Sequence, residues 1–212
     1  MEITNSDIQI YVEDHSSIEP DLLKKLSRET YAKIVFPRML SGHYQGRILS
    51  IISKMINPKS ILEIGTYTGY SAICLAEGLK KNGILYTIEE NEEFESVAKK
   101  YFIEAGLENS IRLFLGKAVD IIPEIQVVFD LVFIDADKEN YLTYYDQVIE
   151  KIDSGGVILA DNVLWSSKVI DLKQNDKDTT ALRQFNDFIQ NDNRVENVCL
   201  PIRDGIMIIR KK

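Results

Sequence analysis

Between residues 60 and 160 the chain repeats one pattern, and that pattern leaves it few ways to fold. Short apolar runs rich in β-branched or aromatic residues stand at Ser60–Ile64, Ile84–Ile88, Ile111–Leu115, Leu131–Ile134 and Val157–Ala160. Longer stretches with helical spacing lie between them, including Ser71–Lys81, Glu92–Ala105 and Glu139–Ile152. Near-continuous apolar runs mark strands buried on both faces, and strands alternating with helices form parallel sheets through right-handed crossovers. The expected fold class is therefore α/β, a doubly wound, mostly parallel sheet. The C-terminal end departs from the repeat. A helix near Thr180–Gln190 leads to two strand-like runs, Arg194–Leu200 and Ile206–Arg210, with Asp204-Gly205 between them. Asp-Gly in that setting predicts a hairpin turn, so the last strand should run antiparallel to its neighbour.

Ahead of the sheet, Leu22, Leu23, Leu26, Tyr31, Ile34 and Val35 keep helical spacing until Pro37 interrupts. A second helix is expected from Tyr44 to Met55, ending before Asn57-Pro58. Residues 1–212 read as one domain, with a helical part up to about residue 56 and an α/β core from about residue 57. The polar stretch Asp171 to Asp178 is expected to be the least ordered.

Composition excludes several functions. The chain is 45% hydrophobic and 27% charged, as in ordinary globular proteins, and its formal net charge is −8. A general nucleic-acid binder needs a basic face, so the bulk charge argues against one unless a local patch exists. The N-terminus lacks a basic segment followed by an apolar one, so no signal peptide is visible, and no apolar stretch reaches membrane-spanning length. A soluble cytoplasmic protein is expected. Cys74 and Cys199 read as buried small apolar residues and not as a disulfide.

Chemistry concentrates where the strands end. The run Phe129–Ile134 ends in Asp135-Ala136-Asp137-Lys138, and Gly155–Ala160 ends in Asp161-Asn162. Parallel neighbours place these ends on one sheet edge, where ligands of open α/β sheets bind. Asp135, Asp161 and Asn162 are hard oxygen donors suited to Mg²⁺ or Ca²⁺, with the cation Lys138 beside them. The plainer alternative is that both aspartates only cap turns. The first strand runs into Gly65-Thr66-Tyr67-Thr68-Gly69-Tyr70-Ser71, a glycine turn that lets backbone approach a ligand. Its spacing is not Gly-x-Gly-x-x-Gly, which disfavours a dinucleotide. Twenty residues after Gly69, the second strand ends in Glu89, placed to accept hydrogen bonds from the two hydroxyls of a ribose.

Together these segments resemble the class I S-adenosylmethionine-dependent methyltransferases. More narrowly, they resemble the cation-dependent O-methyltransferases that include the catechol and caffeoyl-CoA enzymes. The likeness runs from about Met39 to the C-terminus. It rests on Met39-Leu40-Ser41-Gly42-His43-Tyr44-Gln45-Gly46, Leu62–Ser71, Phe133–Lys138 with Asn140-Tyr141, Asp161-Asn162-Val163-Leu164-Trp165 and Pro201-Ile202-Arg203-Asp204-Gly205. It implies a Rossmann-like sheet of seven strands with the last antiparallel, extra N-terminal helices, and a homodimer. It implies S-adenosylmethionine against Ser41, Glu63, Gly65, Thr66, Ser71, Glu89, Ala118 and Asp137, with Glu89 on the ribose. It implies a divalent cation, Mg²⁺ before Mn²⁺ or Ca²⁺, on Asp135, Asp161 and Asn162, and Lys138 as general base. The implied acceptor is a vicinal dihydroxyaromatic, catechol, caffeoyl or related, near Trp165, Ser166 and Arg203. Arg203 is a candidate partner for an acidic acceptor tail. Plant-type members carry Asn where this chain has Ser166, which separates it from plant acceptor preferences.

Two other functions stay open on the sequence. Some bacterial relatives of this kind methylate a hydroxylated uridine in transfer RNA, which a basic strip from Lys24, Lys25, Arg28, Lys33, Arg38 and Arg47 would favour. A non-catalytic nucleotide-binding module would be expected had the acidic set or Lys138 been missing.

Overall fold

The computed structural model describes residues 6–212; the first five residues of the expected N-terminal helical part lie outside the described residues. Seven strands form one sheet: β1 (Ser60–Ile64), β2 (Ile84–Glu89), β3 (Ile111–Leu115), β4 (Phe129–Ile134), β5 (Ile152–Asp161), β6 (Val195–Leu200) and β7 (Ile206–Lys211). Their order is β3-β2-β1-β4-β5-β7-β6. The first five pair in parallel, and β7 runs antiparallel to both β5 and β6. The order reverses at β1, whose two neighbours are β2 and β4, and ligands of such sheets bind at that reversal. The hairpin predicted at Asp204-Gly205 is present. Arg203 and Gly205 both take left-handed backbone there, and Gly205 N donates to Ile202 O at 2.8 Å.

The helices are α1 (Ser6–Asp14), α2 (Asp21–Lys33), α3 (Gly42–Ile56), α4 (Tyr70–Ala76), α5 (Glu95–Glu104), α6 (Ala118–Glu124), α7 (Tyr141–Ile149) and α8 (Lys177–Asn191). Alternate residues along each central strand feed two separate cores. Leu62, Val132, Ile134, Ile158 and Ala160 pack with α6, α7 and α8. Ile61, Leu131, Phe133 and Leu159 pack with α2, α3, α4 and α5. A strand between two cores needs apolar residues at every position, which is why these segments show no polar alternation. Leu23, Leu26 and Leu49 belong to the second core, so α2 and α3 are part of the sheet's packing.

Four details differ from expectation. The helix predicted over Ser71–Lys81 ends at Ala76, because Gly78 sits directly against the backbone of Ser53 in α3, where no further helical turn fits. At the other end of the same helix pair, a Cβ on Gly46 would lie 2.6 Å from Tyr70 Cε1 and 2.9 Å from Cys74 Sγ. Small residues at both ends thus let α3 and α4 approach closely, and Ser53 Oγ donates to Leu75 O at 2.6 Å across the contact. Cys199 is exposed because β6 is an edge strand; Cys74 is buried, and both thiols are free. The last two residues of the polar stretch 171–178 belong to α8, and Arg183 of that helix donates to the carbonyls of Lys168, Val169, Asp171 and Gln174. The strand predicted at Val157–Ala160 begins earlier, at Ile152, across an irregularity opposite Phe129–Leu131. Among the described residues, no helix is long and apolar enough to cross a membrane.

The α3–α4 contact yields a stability test. Gly78→Ala places a methyl group in the Ser53 backbone and should cost about 1–3 kcal/mol. Urea unfolding is expected to show a lower midpoint with an unchanged slope; an unchanged midpoint would contradict the close approach.

Candidate active site

The loop after β1 is shaped by what its glycines exclude. Gly65 has φ +101°, and a Cβ there would collide with the Asp135 carbonyl. Gly69 has φ +90°, and its Cβ would lie 2.6 Å from Phe102 Cε1 of α5. Left-handed backbone and the lack of space both favour glycine. Gly65 N and Thr66 N donate to Ile88 O at 3.0 and 3.2 Å, and Asp135 N donates to Ile64 O at 2.9 Å. The ends of β1, β2 and β4 are therefore tied together by backbone.

Beneath the loop, Glu63 is fully buried and accepts from Thr87 Oγ1 at 2.5 Å; Thr87 in turn meets Thr66 Oγ1 at 2.5 Å. Burial pushes the Glu63 carboxyl up to about 8. At the end of β2, Glu89 accepts from Tyr67 N at 2.6 Å and from Asn91 N at 2.9 Å, which fixes its carboxylate beside the loop.

The ends of β4 and β5 hold the acidic groups. Asp161 is 3% exposed; Gln45 Nε2 donates to its Oδ2 at 2.5 Å and Asn162 N to its Oδ1 at 2.7 Å. Burial first, and then the charge of Asp135, push the Asp161 carboxyl up to about 7. Asn162 has φ 58°, which turns the chain sharply after the strand. Lys138, buried, donates from Nζ to Asp135 Oδ1 at 3.2 Å and to Tyr141 Oη at 2.8 Å. Tyr141 Oη donates on to Asp161 O at 3.0 Å, so one buried phenol joins Lys138 to the end of β5. Asp137 accepts from Asn140 Nδ2 at 2.5 Å and from Tyr144 Oη.

These elements enclose a cavity of about 520 Å³. Of the sequence-predicted residues, Ser41, Gly65, Thr66, Ser71, Glu89, Ala118 and Asp137 line it, together with Asp135, Lys138, Asp161, Asn162, Trp165 and Arg203. Glu63 does not line it; it lies underneath and acts on the loop through Thr87. Ser166 lines instead a neighbouring cavity of about 680 Å³, and its backbone N–H donates to Asp204 Oδ1. Trp165, Ser166 and Ser167 all have left-handed φ, so the chain coils tightly at the mouth. Arg203, expected to meet an acceptor, is turned toward the protein: its guanidinium donates to Ser41 O, to Gln45 Oε1 at 2.9 Å and to Leu40 O at 3.5 Å. It holds the entry to α3 in place.

Gln45 and Tyr144 are functional candidates that reading the sequence missed, and Tyr141 takes a role other than the acceptor-pocket or packing one its sequence suggests. The hydroxyl contact of Tyr141 with Lys138, three positions earlier, fits one helical turn. Gln45 had one available signal, a polar side chain within the inward face of α3. Four of the six residues of the basic strip considered above are held in ion pairs. Lys24 pairs with Asp21, Lys25 with Glu104, Lys33 with Glu29, and Arg47 is buried against Glu77.

Among the described residues, no three His, Cys, Asp or Glu side chains converge on one point. The candidate cation set is two carboxylates and a carboxamide. It fits a hard divalent ion: all three offer oxygen, and the mutual repulsion of buried Asp161 and Asp135 is what such a charge would offset.

Comparison with known proteins gives a consistent result. The profile of a family described as O-methyltransferase matches residues 13–212. The chain is 33% identical over 213 residues to a probable caffeoyl-CoA O-methyltransferase 2 of Dictyostelium discoideum, covering 98% of this chain and 92% of the relative. It is 34% identical over 180 residues to a catechol O-methyltransferase of Niastella koreensis, covering 83% and 81%. A solved O-methyltransferase from Bacillus cereus, in complex with SAH, superposes with a TM-score of 0.91 at 29% identity over all of both chains.

The Asp161 environment sets a pH dependence. Its folded pKa, about 7, lies above the ordinary 3.8, so the stabilisation from protonated Asp161 is full below about pH 4 and is lost as pH rises through about 7. With chelator present, the stability of the wild type relative to Asp161→Asn is expected to fall across that window. Thermal unfolding of both proteins at each pH checks this; a constant difference would contradict it.

Proposed function

The chain belongs to the O-methyltransferase family, and we propose that this S-adenosylmethionine-dependent enzyme methylates one hydroxyl of a vicinal dihydroxyaromatic acceptor with a divalent cation at the reacting edge. One observation carries the reading. The oxygen donors Asp135, Asp161 and Asn162, with Lys138, border the same cavity as the Gly65–Thr66 loop and Glu89.

In this reading Glu89 accepts from the two ribose hydroxyls of the cofactor while its fixed carboxylate stays anchored by Tyr67 N and Asn91 N. Ser41, Ser71, Ala118 and Asp137 line the remainder, and Gly65 gives the cofactor's chain room to pass the end of β1. The sulfonium methyl then faces the ends of β4 and β5. Asp135, Asp161 and Asn162 would hold the cation, Mg²⁺ first and Mn²⁺ or Ca²⁺ otherwise. When bound, it supplies positive charge that makes a catechol hydroxyl more acidic and orients it. Lys138 Nζ, held between Asp135 and Tyr141, takes the hydroxyl proton. The phenolate oxygen attacks the methyl carbon, the carbon–sulfur bond breaks, and a methyl ether and the neutral thioether leave. Alignment of the two reactants contributes most of the rate in such a step. Trp165, 5.8 Å from Lys138 Nζ to its ring centre, flanks the acceptor.

A small phenolic acceptor is favoured over a hydroxylated uridine in transfer RNA because the formal net charge is −8 and four of the six basic residues that would meet RNA, Lys24, Lys25, Lys33 and Arg47, are engaged in ion pairs. The exposed apolar residues Tyr31, Val35, Phe36 and Met39 supply surface for the proposed homodimer, which sedimentation velocity tests; a monomer at micromolar concentration would contradict it.

Two outcomes are expected. Labelled methyl transfer from S-adenosylmethionine to caffeic acid should proceed with Mg²⁺ and stop with EDTA or in Asp135→Ala; near-normal turnover in that variant without added metal would overturn the cation assignment. Glu89→Ala should weaken S-adenosylmethionine binding about ten- to hundredfold by calorimetry; unchanged affinity would remove its ribose role.

A further inference from the structure

The cofactor cavity and its 680 Å³ neighbour share Arg38, Leu40, Ser41, Asn162 and Arg203 in their walls. An acceptor whose hydroxyls sit at Asn162 therefore extends into the second cavity. That cavity is bordered by four residues of formal charge, Glu13, Arg38, Arg203 and Asp204. Three are engaged within the protein. Glu13 accepts from Gln9 Nε2 at 3.2 Å, Asp204 accepts from Ser166 N, and Arg203 holds Leu40, Ser41 and Gln45. Arg38 has no hydrogen bond or ion pair to any described residue.

Its backbone is nevertheless fixed. Arg38 lies in the 3₁₀ turn Pro37–Met39, where Met39 N donates to Phe36 O at 3.1 Å and Leu40 N to Pro37 O at 3.2 Å. Tyr67 Oη also donates to Phe36 O at 3.1 Å, tying this turn to the cofactor loop. A lone exposed arginine is ordinarily a solvated surface charge. This one stands at the junction of two cavities, on an anchored turn, while Glu13, Arg203 and Asp204 are each hydrogen-bonded to other groups of the protein.

We propose that Arg38 is a specificity-determining residue that binds a carboxylate carried by the acceptor on the side away from its vicinal hydroxyls. The inference rests on the catechol reading above and deepens it. A planar guanidinium matches a carboxylate in a two-bond fork, which an ammonium cannot reproduce. Arg203, which the sequence pointed to for this task, is turned instead toward the entry of α3.

The test is calorimetric binding of 3,4-dihydroxybenzoate and its neutral amide to the full chain with Mg²⁺ and S-adenosylhomocysteine, in the wild type, Arg38→Gln and Arg38→Lys. The wild type should bind the acid more tightly than the amide. Arg38→Gln should weaken the acid about ten- to hundredfold and leave the amide within about twofold, with Arg38→Lys between. Equal wild-type affinity for acid and amide, or equal weakening of both by Arg38→Gln, would overturn the proposal. Methyl transfer to the amide is read alongside. Turnover of the amide with no acid preference leaves the catechol reading standing and removes only the Arg38 role; neither binding nor turnover of either compound removes both.

Discussion

At the carboxyl ends of β1 and β4 the backbone of Gly65 lies so close to the Asp135 carbonyl that a side chain on Gly65 has no room. This approach brings the glycine loop after β1 and the first acidic group to one point. β1 and β4 are parallel neighbours, so their ends share an edge, and β5 adds Asp161 on the far side of β4. Asp135 N donates to Ile64 O, which locks the two strand ends in register just where the chains diverge into loops. The candidate site residues are then placed by short connections from the strands: Lys138 three residues beyond Asp135, Asn162 directly after Asp161, Glu89 at the end of β2. Sites built this way keep their geometry because the sheet, and not the loops, determines it.

The same edge carries an electrostatic load that the protein alone only partly relieves. Asp161 is buried within reach of the charge of Asp135, and Gln45, Asn162 N and Lys138 are the groups that lower the cost of ionising it. Tyr141 extends this network, since its hydroxyl accepts from Lys138 and donates to Asp161 O. Arg203 supports it from further away: it holds Gln45 Oε1, and Gln45 Nε2 holds Asp161. The β6–β7 hairpin, remote in sequence, thereby fixes the orientation of a carboxylate at the end of β5.

Much of this architecture is legible in the sequence, and what is not has a common cause. The parallel strands follow from apolar runs that must be buried on both faces, and the antiparallel last strand from Asp204-Gly205. The acidic edge follows from where those runs stop. Gln45 and Arg203 could not be paired by reading, because 158 positions separate them and only the closed sheet brings them together. The same holds for the basic residues of α2 and α3: Lys25 and Arg47 look available as letters, yet each meets a carboxylate from another segment. Helix α4 stops early for a reason held in α3, and Cys199 is exposed because β6 took the sheet edge. Local pattern determines elements and their ends at the strands. Partners of polar side chains depend on tertiary contact.

The central claim is that Asp135, Asp161 and Asn162 form a divalent-cation site beside the cofactor loop. The most direct measurement is anomalous diffraction from crystals grown with S-adenosylhomocysteine and Mn²⁺, used as a spectroscopically visible substitute for Mg²⁺. The account predicts one Mn²⁺ peak with oxygen atoms of all three side chains about 2–2.5 Å away. Well-ordered cofactor in the cavity with no peak there, or with the ion bound elsewhere, would contradict it.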